Sequence, residues 1–147
     1  EIRKRGLPIN RDNTRAVAND LRQQHGPAYV IESLFRKAQA AGGDAIIESL
    51  RVVKEAEFLK QNGGLIFAVD ADRHVRYERV VGRGSELDKV TFEQFCEQED
   101  REMNAPDAWD MNIFGVMKVA DYTLTNNGTL EELHAQVDAV LAKLGWG

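Results

Sequence analysis

Two aspartates and a histidine alternate near the middle of the chain, at Asp70, Asp72 and His74. In an extended segment, alternate side chains lie on one face, so the three could converge on one metal ion. Carboxylates and an imidazole suit Zn²⁺ or Mn²⁺, and less well Mg²⁺. Water bound to such an ion becomes a nucleophile that can attack a phosphoester. If a helix begins at Asp72 instead, this residue caps the helix and the alternation ends.

Three arginines follow at helical spacing, Arg76, Arg79 and Arg83. Residues three and four apart share one helical face, where guanidinium groups could converge on phosphate oxygens. The alternative is an ordinary solvated face, on which the arginines pair with local carboxylates such as Glu78 and Glu86. The spacing alone does not separate these two interpretations.

Short apolar runs bounded by turn residues indicate the strands that would position these side chains. Asp44 to Leu50 and Leu65 to Val69 are predicted to be buried parallel strands, and Tyr122 to Thr125 is a shorter third candidate. The polar residues that follow each run would lie at the carboxyl ends of the strands. Open α/β sheets bind ligands at that end, which is where Arg51 and Asp70 fall.

Helical periodicity and capping residues indicate helices between and around the strands. A first helix is predicted from a cap at Asn10 or Asp12 to about Arg22, and a second from Gly26-Pro27 to Gly42-Gly43. Further along the chain, a helix is predicted from about His74 to Val81. Two more helices are predicted, one opened by Thr91-x-x-Gln94 and one opened by Thr129-x-x-Glu132. Helices that alternate with strands predict an α/β layered domain.

Composition sets the broad class. The 147 residues are 43% hydrophobic and 29% charged, which predicts one globular domain over residues 1–147. A net charge of -5 argues against a nucleic-acid partner. No apolar run reaches membrane-spanning length, and the single Cys96 excludes an intrachain disulfide. We expect a cytoplasmic protein that contacts neither nucleic acid nor membrane.

Several segments, in the same order along the chain, resemble one family. The helical region of residues 1–26 is similar to the acceptor region of the adenylate-kinase-like and dephospho-CoA-kinase-like P-loop proteins. Gly43 to Arg51 is similar to the family's third strand, and Val69 to Asp72 is similar to its fourth strand. Arg76 to Arg79 is similar to its lid arginines. The helix segment from Phe92 to Glu102 also matches, and Ala120 to Thr129 is similar to its last strand and loop.

The resemblance implies a truncated P-loop-kinase-like domain with a short, mostly parallel sheet flanked by helices. Its parts would be an acceptor-type helical region (1–42), a strand-helix-strand unit (43–72), a lid-like helical region (73–119), and the last strand and helix (120–147). No Gly-Lys dipeptide occurs, so the Walker A loop cannot be placed and the family's first strand would be missing. We therefore expect no ATP-dependent kinase activity from these residues.

The resemblance also implies binding roles. Arg51 matches the arginine that holds the acceptor's phosphate, and together with Arg76, Arg79 and Arg83 it forms the predicted phosphate-binding set. Asn126, Asn127 and Gly128 match the loop that borders the nucleotide base. An Asn-Gly pair before a capped helix is also ordinary turn chemistry, so a plain turn is the alternative interpretation.

Three function classes follow. The preferred hypothesis is metal-assisted hydrolysis of a small phosphorylated substrate, with Asp70, Asp72, Arg76 and Arg79 as catalytic residues and a divalent ion as cofactor. The alternatives are the acceptor and lid portion of a nucleotide or dephospho-CoA kinase whose Walker A segment lies upstream, and a noncatalytic nucleotide-binding remnant. Because a missing central strand would expose apolar sheet edges, we also expect a homodimer, or direct pairing of the first two predicted strands.

Overall fold

The computed structural model of the protein describes residues 1–84 and 90–146. Within these ranges the chain is an α/β structure, which confirms the predicted class. The elements, in chain order, are α1 (Arg11–His25), α2 (Tyr29–Ala41), α3 (Val53–Gln61), β1 (Phe67–Asp70), α4 (Arg73–Gly82), α5 (Phe92–Met103), α6 (Ile113–Lys118), β2 (Tyr122–Thr125) and α7 (Leu130–Leu144).

The predicted helix starts are confirmed by their capping bonds. The side chain of Asn10 accepts from the backbone N–H of Asn13 and begins α1. Thr91 and Gln94 form a reciprocal capping box on α5, and Thr129 and Glu132 do the same on α7. These bonds satisfy backbone donors that the first turn of a helix leaves without partners. Local sequence therefore determines where these three helices begin.

The sheet among the described residues consists of β1 and β2, which are parallel. Phe67 lies beside Tyr122, and Asp70 lies beside Thr125. The prediction for β2 is confirmed at both ends, whereas β1 begins at Phe67 and not at Leu65. Ala68 and Leu124 are buried, so each strand directs one central side chain into the interior.

The predicted strand from Asp44 to Leu50 is wrong, because residues 44–50 have no regular secondary structure. Ser49 adopts a left-handed backbone with φ 66°, which interrupts the extended conformation that a strand requires. Ile46 is 90% exposed, while Ile47 and Leu50 pack against the core. Direct pairing of this segment with the second predicted strand is therefore also wrong. The homodimer stays a prediction.

The core lies between α2, α3, α6 and the start of β1. Its buried side chains are Ile31, Ala56, Leu59, Ile66 and Val116. Phe35 and Phe58 extend this core with an edge-to-face contact at 5.4 Å between ring centres. The helix α6 was not predicted from the sequence, although its residue Val116 is a core residue.

The turns that join α3 to β1 and α6 to β2 meet at one end of the sheet. Lys60, in the last turn of α3, donates to the carbonyl of Val119 at 3.0 Å and pairs with Asp121 at 2.7 Å. Asp121 also accepts from the backbone N–H of Ile66 at 2.8 Å. The carboxyl ends of α3 and α6 therefore lie together, near the amino end of β1 and β2.

A buried ion pair joins α1 to the amino end of α3. Nε and Nη2 of Arg22 donate to Oε1 of Glu55 at 3.0 and 2.8 Å, and the two side chains are only 3% and 0% exposed. Oε2 of Glu55 accepts from the backbone N–H groups of Arg51 and Val52. One carboxylate thus neutralises a buried guanidinium and also satisfies the first donors of α3.

Replacing Arg22 by Met should lower the free energy of unfolding by about 3 to 5 kcal/mol, because it leaves the Glu55 carboxylate buried without its counter-charge. Adding Glu55→Gln should restore part of the loss, since the glutamine is neutral and keeps one oxygen for the backbone donors. Urea unfolding at pH 7 measures both effects. Arg5→Met, which breaks the partly exposed pair with Asp20, is the control and should cost far less. Equal losses for Arg22→Met and Arg5→Met would contradict this account.

Candidate functional site

The loops after β1 and β2 are hydrogen-bonded to each other at the carboxyl end of the sheet. The backbone N–H of Asn126 donates to the carbonyl of Asp70 at 2.6 Å. The backbone N–H of Asp72 donates to Oδ1 of Asn127, also at 2.6 Å. Parallel pairing therefore brings two polar segments, separated by more than fifty residues in sequence, into one place.

Arg76 spans the end of β1 and the helix α5. Its Nε and Nη2 donate to the two carboxylate oxygens of Glu99 at 2.6 and 2.7 Å. Its Nη1 donates to Oδ1 of Asp70 at 3.1 Å and to the carbonyl of Ala71. The paired hydrogen bonds to Glu99 raise the pKa of the Arg76 guanidinium. Arg76 is therefore neutralised by two carboxylates, neither of which is the Glu78 considered from the sequence.

Arg79 reaches the loop after β2. Its Nη1 donates to the carbonyl of Asn126 at 2.5 Å, and its Nη2 donates to the carbonyl of Gly128 at 3.0 Å. Arg83 is the C-cap residue of α4. Glu86, the other carboxylate considered from the sequence, lies outside the described residues. The predicted single arginine face thus divides, with Arg76 directed to α5 and Arg79 to the β2 loop.

We name this group the strand-end site. Its residues come from the end of β1, from α4 and from the loop after β2, and they are Asp70, Arg76, Arg79, Asn126, Asn127 and Gly128. Asp70 and Arg79 are exposed at its surface. The structure therefore brings together residues that the sequence assigned separately to catalysis and to nucleotide binding.

The alternation that suggested a metal site ends at Asp72, because α4 begins at Arg73. Asp72 is the N-cap residue, and the ring of His74 stacks on Phe92 of α5 at 4.3 Å between ring centres. Asp70 instead pairs with Arg76. In the described ranges, no three His, Cys, Asp or Glu side chains form a group that could hold a metal ion. Asp70, Asp72 and His74 are thus close in sequence without forming a three-ligand site.

Arg51 lies just before the amino end of α3. Its carbonyl accepts from the backbone N–H of Asn112 at 2.8 Å, and this bond joins the amino ends of α3 and α6. Its half-buried guanidinium has no hydrogen bond or ion pair among the described residues. The prediction that Arg51 holds a phosphate stays a prediction.

A second polar group was not predicted from the sequence. Arg15 and Asn19 of α1 both bind the carboxylate of Asp110, and Arg22 pairs with Glu55. The signal was present in the sequence, because Arg15, Asn19 and Arg22 recur at i, i+4 and i+7 and so share one face of α1. Their acidic partners are distant in sequence, so the pairing itself had no local signature.

Asp110 is held as an anion by this group. Burial alone would raise its pKa, but hydrogen bonds from Arg15, Asn19 and the backbone N–H of Met111 outweigh burial and lower the pKa to about 2. A carboxyl whose pKa is lowered on folding stabilises the fold above its unfolded pKa, near 3.9. The contribution is lost as the pH falls toward 2.

Replacing Asp110 by Asn should therefore lower the free energy of unfolding at pH 6 by about 1 to 2 kcal/mol. The gap between the variant and the wild type should close between about pH 4 and pH 2, where the wild-type carboxyl takes up its proton. Urea unfolding at pH 6, 4 and 2 measures the gap. A gap of the same size at all three values would show that the Asp110 charge has no such role.

Comparison with known proteins places the chain in a family. It is 31% identical to a UPF0200 protein of Hyperthermus butylicus over 146 residues, which are 98% of this chain and 75% of that protein. UPF0200 proteins of Thermococcus kodakarensis (31%) and Pyrobaculum aerophilum (30%) match the same share of the chain and cover 80% and 78% of their own lengths. No family profile and no solved structure matches. Of the helices in the described ranges, none is long and apolar enough to cross a membrane. The chain belongs to the UPF0200 family.

Proposed function

We propose that this domain binds a small phosphorylated molecule of the nucleotide class at the strand-end site. The supporting observation is that polar residues from several elements converge at the carboxyl end of two parallel strands, where Arg79 of α4 contacts the loop after β2. Open parallel sheets bind their ligands at this end, because the loops there can vary without disturbing the core.

Arg79 is the principal phosphate-binding residue in this proposal. Arg76 is already neutralised by Glu99 and Asp70, whereas the partners of Arg79 in the described ranges are two neutral carbonyl oxygens. A guanidinium bound to carbonyls keeps its full positive charge and can exchange these bonds for charge-assisted bonds to phosphate. Its exposed position leaves it accessible to a ligand.

The resemblance to nucleotide and dephospho-CoA kinases suggests which ligand this is. In that family, the lid arginines and the loop after the last strand face the phosphorylated substrates, and here α4 and residues 126–128 occupy those positions in the chain. We therefore propose that the domain is the acceptor and lid portion of a phosphoryl-transfer protein. Arg51 and Arg79 would orient the phosphate of the acceptor, and Asn126 to Gly128 would border its base. This chemistry depends on positioning and charge neutralisation.

Replacing Arg79 by Gln should weaken the binding of AMP, CMP or dephospho-CoA about tenfold or more, as the loss of a charge-assisted phosphate contact does. Calorimetric titration of the whole chain measures the affinity. Arg36→Gln is a matched control, because Arg36 is an exposed arginine on α2 with only a 3.7 Å contact to Glu32. Equal affinity in the wild type, Arg79→Gln and Arg36→Gln would exclude the strand-end site as the binding site.

A second candidate is metal-assisted phosphoester hydrolysis, and the observation that favours it is the half-exposed carboxylate of Asp70 at the end of β1. Asp70, Asp72 and His74 do not form a three-ligand site, so they do not fit a Zn²⁺ or Mn²⁺ ion held by all three side chains. Mg²⁺ needs fewer protein ligands, because it is commonly held by one or two carboxylates together with substrate phosphates. A divalent ion would supply charge neutralisation and an activated water.

Removal of divalent ions with a chelator should abolish hydrolysis of phosphomono-, di- or triesters if this second candidate is correct, and Zn²⁺, Mn²⁺ or Mg²⁺ should restore it. Asp70→Asn combined with Asp72→Asn should lower the restored rate at least about tenfold, because mutating residues that support a bound metal typically lowers activity by at least that factor. Asp138→Asn, on the exposed side of α7, is the control. A folded double variant with full metal-dependent activity would exclude these ligands, and activity that resists chelation would exclude the metal.

A further inference from the structure

Arg15 and Asn19 form a pair of donors on α1, which we name the α1 fork. Nε of Arg15 donates to Oδ1 of Asp110 at 3.0 Å, and its Nη2 donates to Oδ2 of the same carboxylate. Nδ2 of Asn19 donates to Oδ1 at 2.9 Å. Two parallel guanidinium bonds and a third donor are the arrangement by which proteins recognise carboxylate and phosphate groups.

Asn19 of the α1 fork has a second partner besides Asp110. Nη1 of Arg22 donates to Oδ1 of Asn19 at 3.3 Å, which leaves the Nδ2 group of Asn19 directed at the anion. Arg22 is itself held by the buried Glu55. Both fork residues stand on α1, a helix of 15 residues. Asn19 therefore keeps one partner if the Asp110 carboxylate leaves, and Arg15 then loses the carboxylate that neutralises it and can bind another anion.

The Asp110 carboxylate, by contrast, comes from a segment without helix or strand. Residues 104–112 connect α5 to α6, and their ends are joined by a bond from the backbone N–H of Ala105 to the carbonyl of Met111 at 3.0 Å. Such a loop can change its conformation without disturbing regular hydrogen-bonded structure. The following residue, Asn112, is bonded to Arg51, so the loop lies beside a second arginine whose guanidinium is unpaired among the described residues.

We propose that the α1 fork is a second anion-binding site, for a phosphate or pyrophosphate group, and that the Asp110 carboxylate occupies it until such a group displaces it. A phosphate dianion carries more charge than a carboxylate and offers three acceptor oxygens, so it can replace Asp110 on Arg15 and Asn19. The intramolecular carboxylate competes with the ligand, and the apparent affinity is lowered by the fraction of molecules in which Asp110 is bound. Arg15, Asn19 and Asp110 lie outside the strand-end site, so this inference does not require the proposed function.

The test uses inorganic pyrophosphate and the fluorescence of Trp109, the neighbour of Asp110. Trp146→Phe removes the only other tryptophan, and Arg79→Gln removes the principal arginine of the strand-end site. In this background, saturating pyrophosphate should change Trp109 emission, because the loop moves when Asp110 is displaced. Adding Asp110→Asn should tighten pyrophosphate binding about tenfold, measured by calorimetry at constant ionic strength.

Asp20→Asn is the matched control, because it removes one negative charge, as Asp110→Asn does, and it removes a carboxylate partner of Arg5 instead of the partner of Arg15. It should leave the affinity unchanged. Arg15→Gln should abolish binding in the Asp110→Asn protein, and circular dichroism verifies that each variant is folded. Equal tightening by Asp110→Asn and Asp20→Asn would overturn the proposal, as would binding that survives Arg15→Gln or no saturable binding to the Asp110→Asn protein.

Discussion

The buried pair between Arg22 and Glu55 is the constraint on which the packing of α1 against the amino end of α3 depends. Glu55 can be fully buried only because its carboxylate meets the Arg22 guanidinium on one oxygen and two backbone N–H groups on the other. The same contacts determine where α3 begins, how α1 lies against it, and the backbone position of Arg51. A single charge pair therefore connects the helical region at the start of the chain to the amino end of α3.

The sheet in the described ranges is small, and α4 and the loop after β2 supply most of the polar groups at its carboxyl end. The strands β1 and β2 are four residues each, and they place Asp70 beside Thr125. The backbone bond from Asn112 to Arg51 joins the amino ends of α3 and α6. The binding proposed for the strand-end site rests on α4 and on the loop after β2 as well as on the strands.

Features with a local cause were predictable from the sequence, and features that need a distant partner were not. Asn10, Thr91 and Thr129 cap helices through bonds to residues three positions away, so their role was predicted correctly. The segment of residues 44–50 has the composition of a strand, but it pairs with neither strand of the described residues, and Ser49 has a left-handed backbone. Contacts between residues far apart in sequence likewise leave no local pattern. The strand-end residues were therefore predicted as separate groups, and the contacts of Arg15 with Asp110 were missed.

The long separation between β1 and β2 has a consequence for the order in which the molecule assembles. Phe67 pairs with Tyr122, and the described residues between them include the helices α4, α5 and α6, so the strands meet only after a long loop has closed. Closing that loop costs chain entropy before any strand contact repays it, while α1, α2 and α7 form from contacts close in sequence. We therefore expect helical structure to form before the sheet, and the junction of Asp70 with Asn126 to form late.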